Sequence, residues 1–218
     1  MPSRSAASST RAYHHGDLRN ALLDAGLDLT RAGGPDAATV REVARRVGVV
    51  PTAVYRHFAD RDALVEALAL RVQQQVAERM RDNASPDDRA GASTGAGRGH
   101  GRARLRAVGL GYIGFALAEP GWFDLAFGGA TALPDAVDPA ALPAPLAMLV
   151  AALDELVADG ELPAARRPGA EWPCWSTVHG FALLALRGPL RALSPDAQWA
   201  QAQRAVETII DGLLSPRA

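Results

Sequence analysis

Lysine is absent from this chain, and all 23 basic residues are arginine. The bias carries little chemistry by itself, although arginine offers a planar fork suited to phosphate and guanine. Cysteine occurs once, at Cys174, which excludes an internal disulfide and a cysteine-rich zinc site. No apolar run approaches the ~20 residues that span a bilayer. Residues 1–13, MPSRSAASSTRAY, lack the apolar centre of a signal peptide. A cytoplasmic protein without a membrane partner is expected. The β-branched runs of a sheet are missing, whereas the helix formers Ala, Leu and Arg are plentiful, so the fold class is all-α.

Catalytic signatures are equally scarce. There is no phosphate loop, nucleotide fingerprint or paired-carboxylate motif. Cys174 and His179 are five apart, about 140° from sharing a helix face at 3.6 residues per turn, so they form no nucleophile–base pair. No catalytic residue, and no enzyme, is expected. His14-His15-Gly16-Asp17 offers possible metal ligands, but neighbouring residues of a helix diverge and no second ligand cluster completes a site. No metal and no cofactor are expected, and Asp17 reads instead as a helix cap.

What is present centres on residues 40–58, VREVARRVGVVPTAVYRHF. Val40, Val43, Ala44 and Val47 fall at i, i+3, i+4 and i+7, one stripe of a helix. Thr39 before it and Glu42 three residues on make a capping-box pattern, in which each side chain takes the other's backbone amide. Gly48 ends the helix, and a second begins near Val50–Pro51, where proline suits a first turn. Val54 and Phe58 form its apolar underside. Two short helices at a tight turn make a helix-turn-helix, whose second helix enters the DNA major groove by its N-terminal residues. Thr52 suits a base edge or phosphate, and Pro51 and Ala53 suit a thymine methyl. Tyr55 and His57 suit phosphates, with core packing as the alternative for Tyr55. Arg41 suits guanine or phosphate. Thr39 and Arg61 stand at helix N-termini, where free amides favour phosphate.

Residues 13–70 resemble the N-terminal domain of TetR-family transcriptional regulators. The resemblance rests on a first helix from Asp17 to Arg31, the Gly33-Gly34 break, TVREVARRVG, VYRHF, and a helix opening at Asp60-Arg61. It implies DNA contacts at the positions just named, and a helix after Asp60 that connects ligand binding to DNA binding. Farther along, W-x-x-x-H-G at Trp175–Gly180 is similar to the Trp-His-Gly signature of one class of the family's C-terminal domains.

Charge is divided along the chain. Residues 1–60 carry eight Arg against six acids, and residues 105–218 carry seven against twelve. A basic front and an acidic rear suit a DNA-reading head on a body that avoids DNA. Three parts are expected: a disordered arm over 1–12, a helix-turn-helix domain over 13–60, and a helical ligand-binding and dimerisation domain over 61–218. Within the last, the Gly/Ser/Asp-rich stretch 83–101 reads as a flexible loop containing a solvated His100.

The first helix carries an apolar stripe at Leu18, Ala21, Leu22, Ala25 and Leu29. The helix after Asp60 carries Leu64, Leu68, Val72, Val76 and Met80 at four-residue spacing. Later helices are expected over 102–118, 146–159, 171–190 and 196–214, with a short aromatic one at 122–127. Gly180 inside its helix suggests close approach by a neighbour. Tyr112, Phe115, Trp122, Phe123, Phe127, Trp175 and His179 are the candidate ligand pocket. For the aromatics a cavity wall and a plain core are both open, and His179 reads as a ligand group or as a structural hydrogen-bonder. The resemblance implies a homodimer through the last two helices, an inverted-repeat operator in double-stranded DNA, a small apolar or aromatic effector, and repression as the usual sign. A helical ligand-binding adaptor without DNA binding is the alternative.

Overall fold

The computed structural model describes residues 15–83, 100–128 and 142–215. The expected arm over 1–12 and most of the expected loop over 83–101 lie outside the described residues, as do His14 and residues 129–141. Among the described residues there is no strand. The helices are α1 (His15–Gly33), α2 (Val40–Val47), α3 (Pro51–Val54), α4 (Arg61–Asp82), α5 (His100–Ala118), α6 (Pro120–Phe127), α7 (Ala144–Ala158), α8 (Glu171–Leu186) and α9 (Pro195–Leu214). Asp17 falls inside the first turn of α1 rather than ahead of it as a cap. His100 and Gly101, expected in a loop, open α5. The helix expected over 171–190 stops at Leu186, and a 3₁₀ turn follows from Pro189 to Ala192.

The head is α1 to α3. Val43, Ala44 and Val54 are fully buried and Phe58 nearly so, with α2 packed on α1 and α3 packed on α2. Gly48 adopts φ 82°, the left-handed conformation that lets the chain reverse between α2 and α3. Half of the expected capping box forms. Thr39 Oγ1 accepts from the Glu42 amide at 3.2 Å. The return bond is absent: the Thr39 amide donates to Ala37 O, and Arg45 holds the Glu42 carboxylate through two donors. Arg45 draws that carboxylate down its own helix, and depresses its pKa chiefly by these bonds. Thr39→Ala is therefore expected to lower stability by about 1 kcal/mol, the worth of a single N-cap bond, measured by urea unfolding.

The body is built around α5, which packs on α4, α7, α8 and α9. Leu105, Val108, Tyr112 and Phe115 are all buried, as are the five apolar residues at four-residue spacing on α4. Helix α1 buries more than its expected stripe. Leu23 and Leu27 are buried alongside Leu22 and Ala25, while Leu18 and Leu29 are only half-buried. The reason is that α1 has three helices to satisfy: α2 on the head side, α4, and α6 of the body.

Candidate DNA-reading surface and ligand site

On the head, Thr39, Arg41, Pro51, Thr52 and Tyr55 are exposed, and Ala53, His57 and Arg61 are half-buried. Burial of Val54 and Phe58 fixes this orientation, because residues on their side of the turn must face the core. Tyr55 retains 53% of its surface, which is far too much for a core tyrosine. Arg61 is the exception among the named residues. Its guanidinium donates to Pro35 O at 2.9 Å and reaches Asp36 at 3.3 Å, so it pins the turn between α1 and α2. The α4 N-terminus is already occupied, since Asp60 accepts from the Ala63 amide at 2.8 Å. Sequence reasoning passed over Arg56. It is exposed beside Tyr55, and among the described residues neither it nor Arg41 meets a carboxylate. By contrast Arg45 is paired with Glu42, and Arg46 stands 3.8 Å from Asp28.

In the body, five helices surround a small cavity of about 20 Å³, walled by residues that include Met80, Tyr112, Leu149, Cys174, Trp175 and Ile209. It has room for about one water, and its wall is apolar, so it favours staying dry. Burial pushes the Cys174 thiol up to about 11, with nearby Glu171 adding to the shift, so the thiol stays protonated. Of the seven candidate pocket residues, Tyr112 and Trp175 line the cavity. Phe123, Phe127 and His179 form a second layer around the Tyr112 ring, with centroids 5.8, 5.3 and 6.4 Å from it. Phe115 is buried but stands outside this ring cluster.

The Tyr112 hydroxyl lies 3.0 Å from His179 Nδ1. Burial raises the Tyr112 pKa and lowers that of His179, so the pair is neutral near pH 7. The simplest assignment has the hydroxyl donating to Nδ1, with the ring proton on Nε2. The imidazole stacks on Trp175 at an interplanar angle of 13°. A depressed histidine pKa gives a definite pH dependence. Below the ordinary value of 6.5 the unfolded chain gains a proton that the folded chain resists. The contribution is therefore complete above that pH and declines as pH falls from there towards the folded pKa. The urea midpoint is expected to drop between pH 7.5 and 5.5, and to drop less in His179→Gln.

Trp122 is elsewhere. Its indole Nε1 donates to Leu27 O on α1 at 2.8 Å, and the Arg31 guanidinium lies over its ring at 4.9 Å. Arg31 Nε also donates to Glu119 at 2.7 Å. Gly121 permits this seating, because a Cβ there would stand 2.4 Å from Arg31 O and 2.5 Å from Thr30 O. At its other end α6 is tied to Arg187, the residue that ends α8, by an ion pair with Asp124, and Gln73 of α4 donates to Ala126 O at 3.2 Å. The same helix thus carries Phe123 and Phe127 towards the Tyr112 cluster and docks on the head. Composition alone grouped Trp122 with those rings; one residue of helical rotation, about 100°, sends it the other way.

An outward second helix on a buried helical pair, joined to an all-helical body, defines a helix-turn-helix DNA-binding protein. Two family models match. One, described as bacterial regulatory proteins of the tetR family, covers residues 22–68. The other, described as the tetracyclin repressor-like C-terminal domain, covers residues 105–209. The tetracycline repressor protein class A from transposon 1721 of Escherichia coli is 44% identical over 50 residues, which span 23% of this chain and 23% of that protein. Among solved structures, a protein of unknown function from Rhodococcus sp. RHA1 is 30% identical with a TM-score of 0.69, over 94% of this chain and 100% of that one. A TetR variant from Acinetobacter baumannii AYE in complex with minocycline is 21% identical with a TM-score of 0.59, over 88% of this chain and 94% of that one, a likeness of fold. The chain belongs to the TetR family of transcriptional regulators, which are ligand-responsive DNA-binding proteins.

Proposed function

We propose that this chain is a cytoplasmic repressor that binds an inverted-repeat operator as a homodimer and leaves it when a small apolar or aromatic ligand occupies the body. The observation that carries the reading is the outward set Arg41, Thr52 and Tyr55 on a helical pair whose Val54 and Phe58 are buried. Arg41, Tyr55 and His57 hold phosphates or guanine, and Thr52 reaches a base edge. The head spans residues 13–60 and the body residues 61–218.

Helices α8 and α9 are the proposed dimer seam. Trp172, Leu183 and Leu184 of α8 are exposed at 42%, 37% and 46%. The sequence suggests close approach by a neighbour at Gly180, and no such neighbour is found among the described residues of this chain. A Cβ at Gly180, or at Gly212 of α9, would meet nothing within 4 Å, which leaves flat ground for a partner helix. A two-fold dimer of such heads reads an inverted repeat.

The cavity supports an apolar effector and also dictates how it acts. Ligand sites commonly run to about 300–1,000 Å³, so a ligand enters only a widened body. It therefore binds a conformation different from this one and shifts the population by its differential affinity. Turning a mostly bound population into a mostly released one requires about 5.5 kcal/mol of such preference. Helix α6 is the proposed relay, since it touches both the Tyr112 cluster and α1. A gel shift of the full chain with DNA flanking its own gene tests the reading. Two protomers per duplex are expected at low salt. A confirmed dimer that shifts no duplex favours the adaptor.

A further inference from the structure

Val50 keeps 65% of its surface, more than any other large apolar side chain described, and among the described residues it takes no part in the core. Its neighbour Val49 packs against the core, and Val54 is fully buried, so the head is complete without it. Val50 caps α3 with φ −74° and ψ 147°, and the proline that follows confines it to that extended region. The side chain is thus held out rigidly at the leading end of the second helix. That end is the part which meets base edges in a helix-turn-helix.

From Val49 to Val54 the chain is Val-Val-Pro-Thr-Ala-Val. It has no Arg, Asn, Gln, Asp or Glu, the residues that read guanine, adenine or cytosine through hydrogen bonds. Exposed Val50 and Pro51 offer only methyl and methylene groups. In the major groove the one apolar partner for them is the thymine C5 methyl. The guanidinium groups of Arg41 and Arg56 on the same head, which meet no carboxylate among the described residues, favour a polyanion over an apolar peptide or a second copy of this chain.

We infer that Val50, seated by Pro51, is a specificity-determining residue that packs on a thymine methyl, so that each operator half-site carries an A·T pair at that step. The inference rests on the DNA-binding reading above and names the base which that reading leaves open.

The probe is the duplex that the full-length dimer selects from a randomised pool at low salt. Each thymine of a half-site is then replaced in turn by deoxyuridine, which deletes the methyl and leaves the base pairing intact. One position per half-site is expected to lose about 4- to 10-fold in affinity, the effect of a buried methyl group. Val50→Ala is expected to weaken binding to the thymine duplex and to bring the thymine-to-uracil ratio at that position below about 2-fold. Arg41→Ala is expected to weaken both duplexes alike and to keep the ratio. Helicity and dimer mass of each variant confirm that the fold is unchanged. A selected duplex with G·C at every contacted step, or a uracil penalty that V50A leaves intact, overturns the inference while the DNA-binding reading stands. Failure of the confirmed dimer to select any duplex overturns both.

Discussion

Arg41→Ala and Tyr55→Ala are each expected to lower operator affinity by at least about 10-fold, and together to abolish a measurable shift, while helicity and dimer mass stay as they are. The size follows from their position: both side chains project from the proposed DNA-reading surface, and truncating a central aromatic or arginine anchor commonly removes 2 kcal/mol or more of binding energy. Arg41 meets no acidic neighbour among the described residues, so its removal leaves no buried charge unpaired. Tyr55 is more than half exposed, so its ring is not a core plug. Unfolding free energies are accordingly expected to change by no more than about 0.5 kcal/mol. Arg41→Ala should also reduce the salt slope of binding by about 1, as expected for one lost phosphate contact. Loss of fold in either variant would show that a packing residue had been mistaken for a contact.

Gly121→Ala is the second large effect. The new methyl would stand 2.4 Å from Arg31 O and 2.5 Å from Thr30 O, both backbone atoms that cannot swing aside. Helix α6 must back away from α1, which pulls Trp122 from Leu27 O and Glu119 from Arg31. Overpacking of this kind costs about 1–3 kcal/mol. In a chain of this length that corresponds to a melting temperature lower by roughly 2–12 °C. Because α6 is the proposed relay, the variant is also expected to show a smaller ligand-induced change in operator affinity than the parent chain. Trp122→Phe, which exchanges the indole for a smaller phenyl and so deletes both the N–H bond and part of the packing against α1, should lower stability by at least about 1 kcal/mol. A Gly121→Ala protein that melts and responds like the parent would remove α6 from the relay.

The parts legible from sequence are those with a period or a local rule behind them. The four-residue spacing from Leu64 to Met80 is the buried face of α4, and the Thr39 and Gly48 signals mark the ends of α2, because caps and stripes are written in neighbouring residues. The half-formed capping box shows the limit of such rules: Glu42 had two candidate partners, and Arg45, on the same helix, won. Trp122 shows another. Its type suggested a pocket, but its partner Leu27 lies 95 residues away, and only the packing of α6 on α1 decides which way the ring points. The cavity wall was hidden for a different reason. Met80, Leu149 and Ile209 are ordinary members of apolar stripes, and nothing local distinguishes a residue facing a void from one facing a neighbour. The sequence places Val50 at the start of the helix that enters the major groove but assigns it no contact; its exposure follows from the extended backbone before Pro51, which turns it off the stripe.

The most direct test is a hydroxyl-radical footprint of the full chain on its selected duplex. Two protected patches on one face of the DNA, with centres about 34 Å or a multiple of that apart, are the result expected for paired heads in successive major grooves. A single patch from an intact dimer, or protection without two-fold symmetry, would contradict the account.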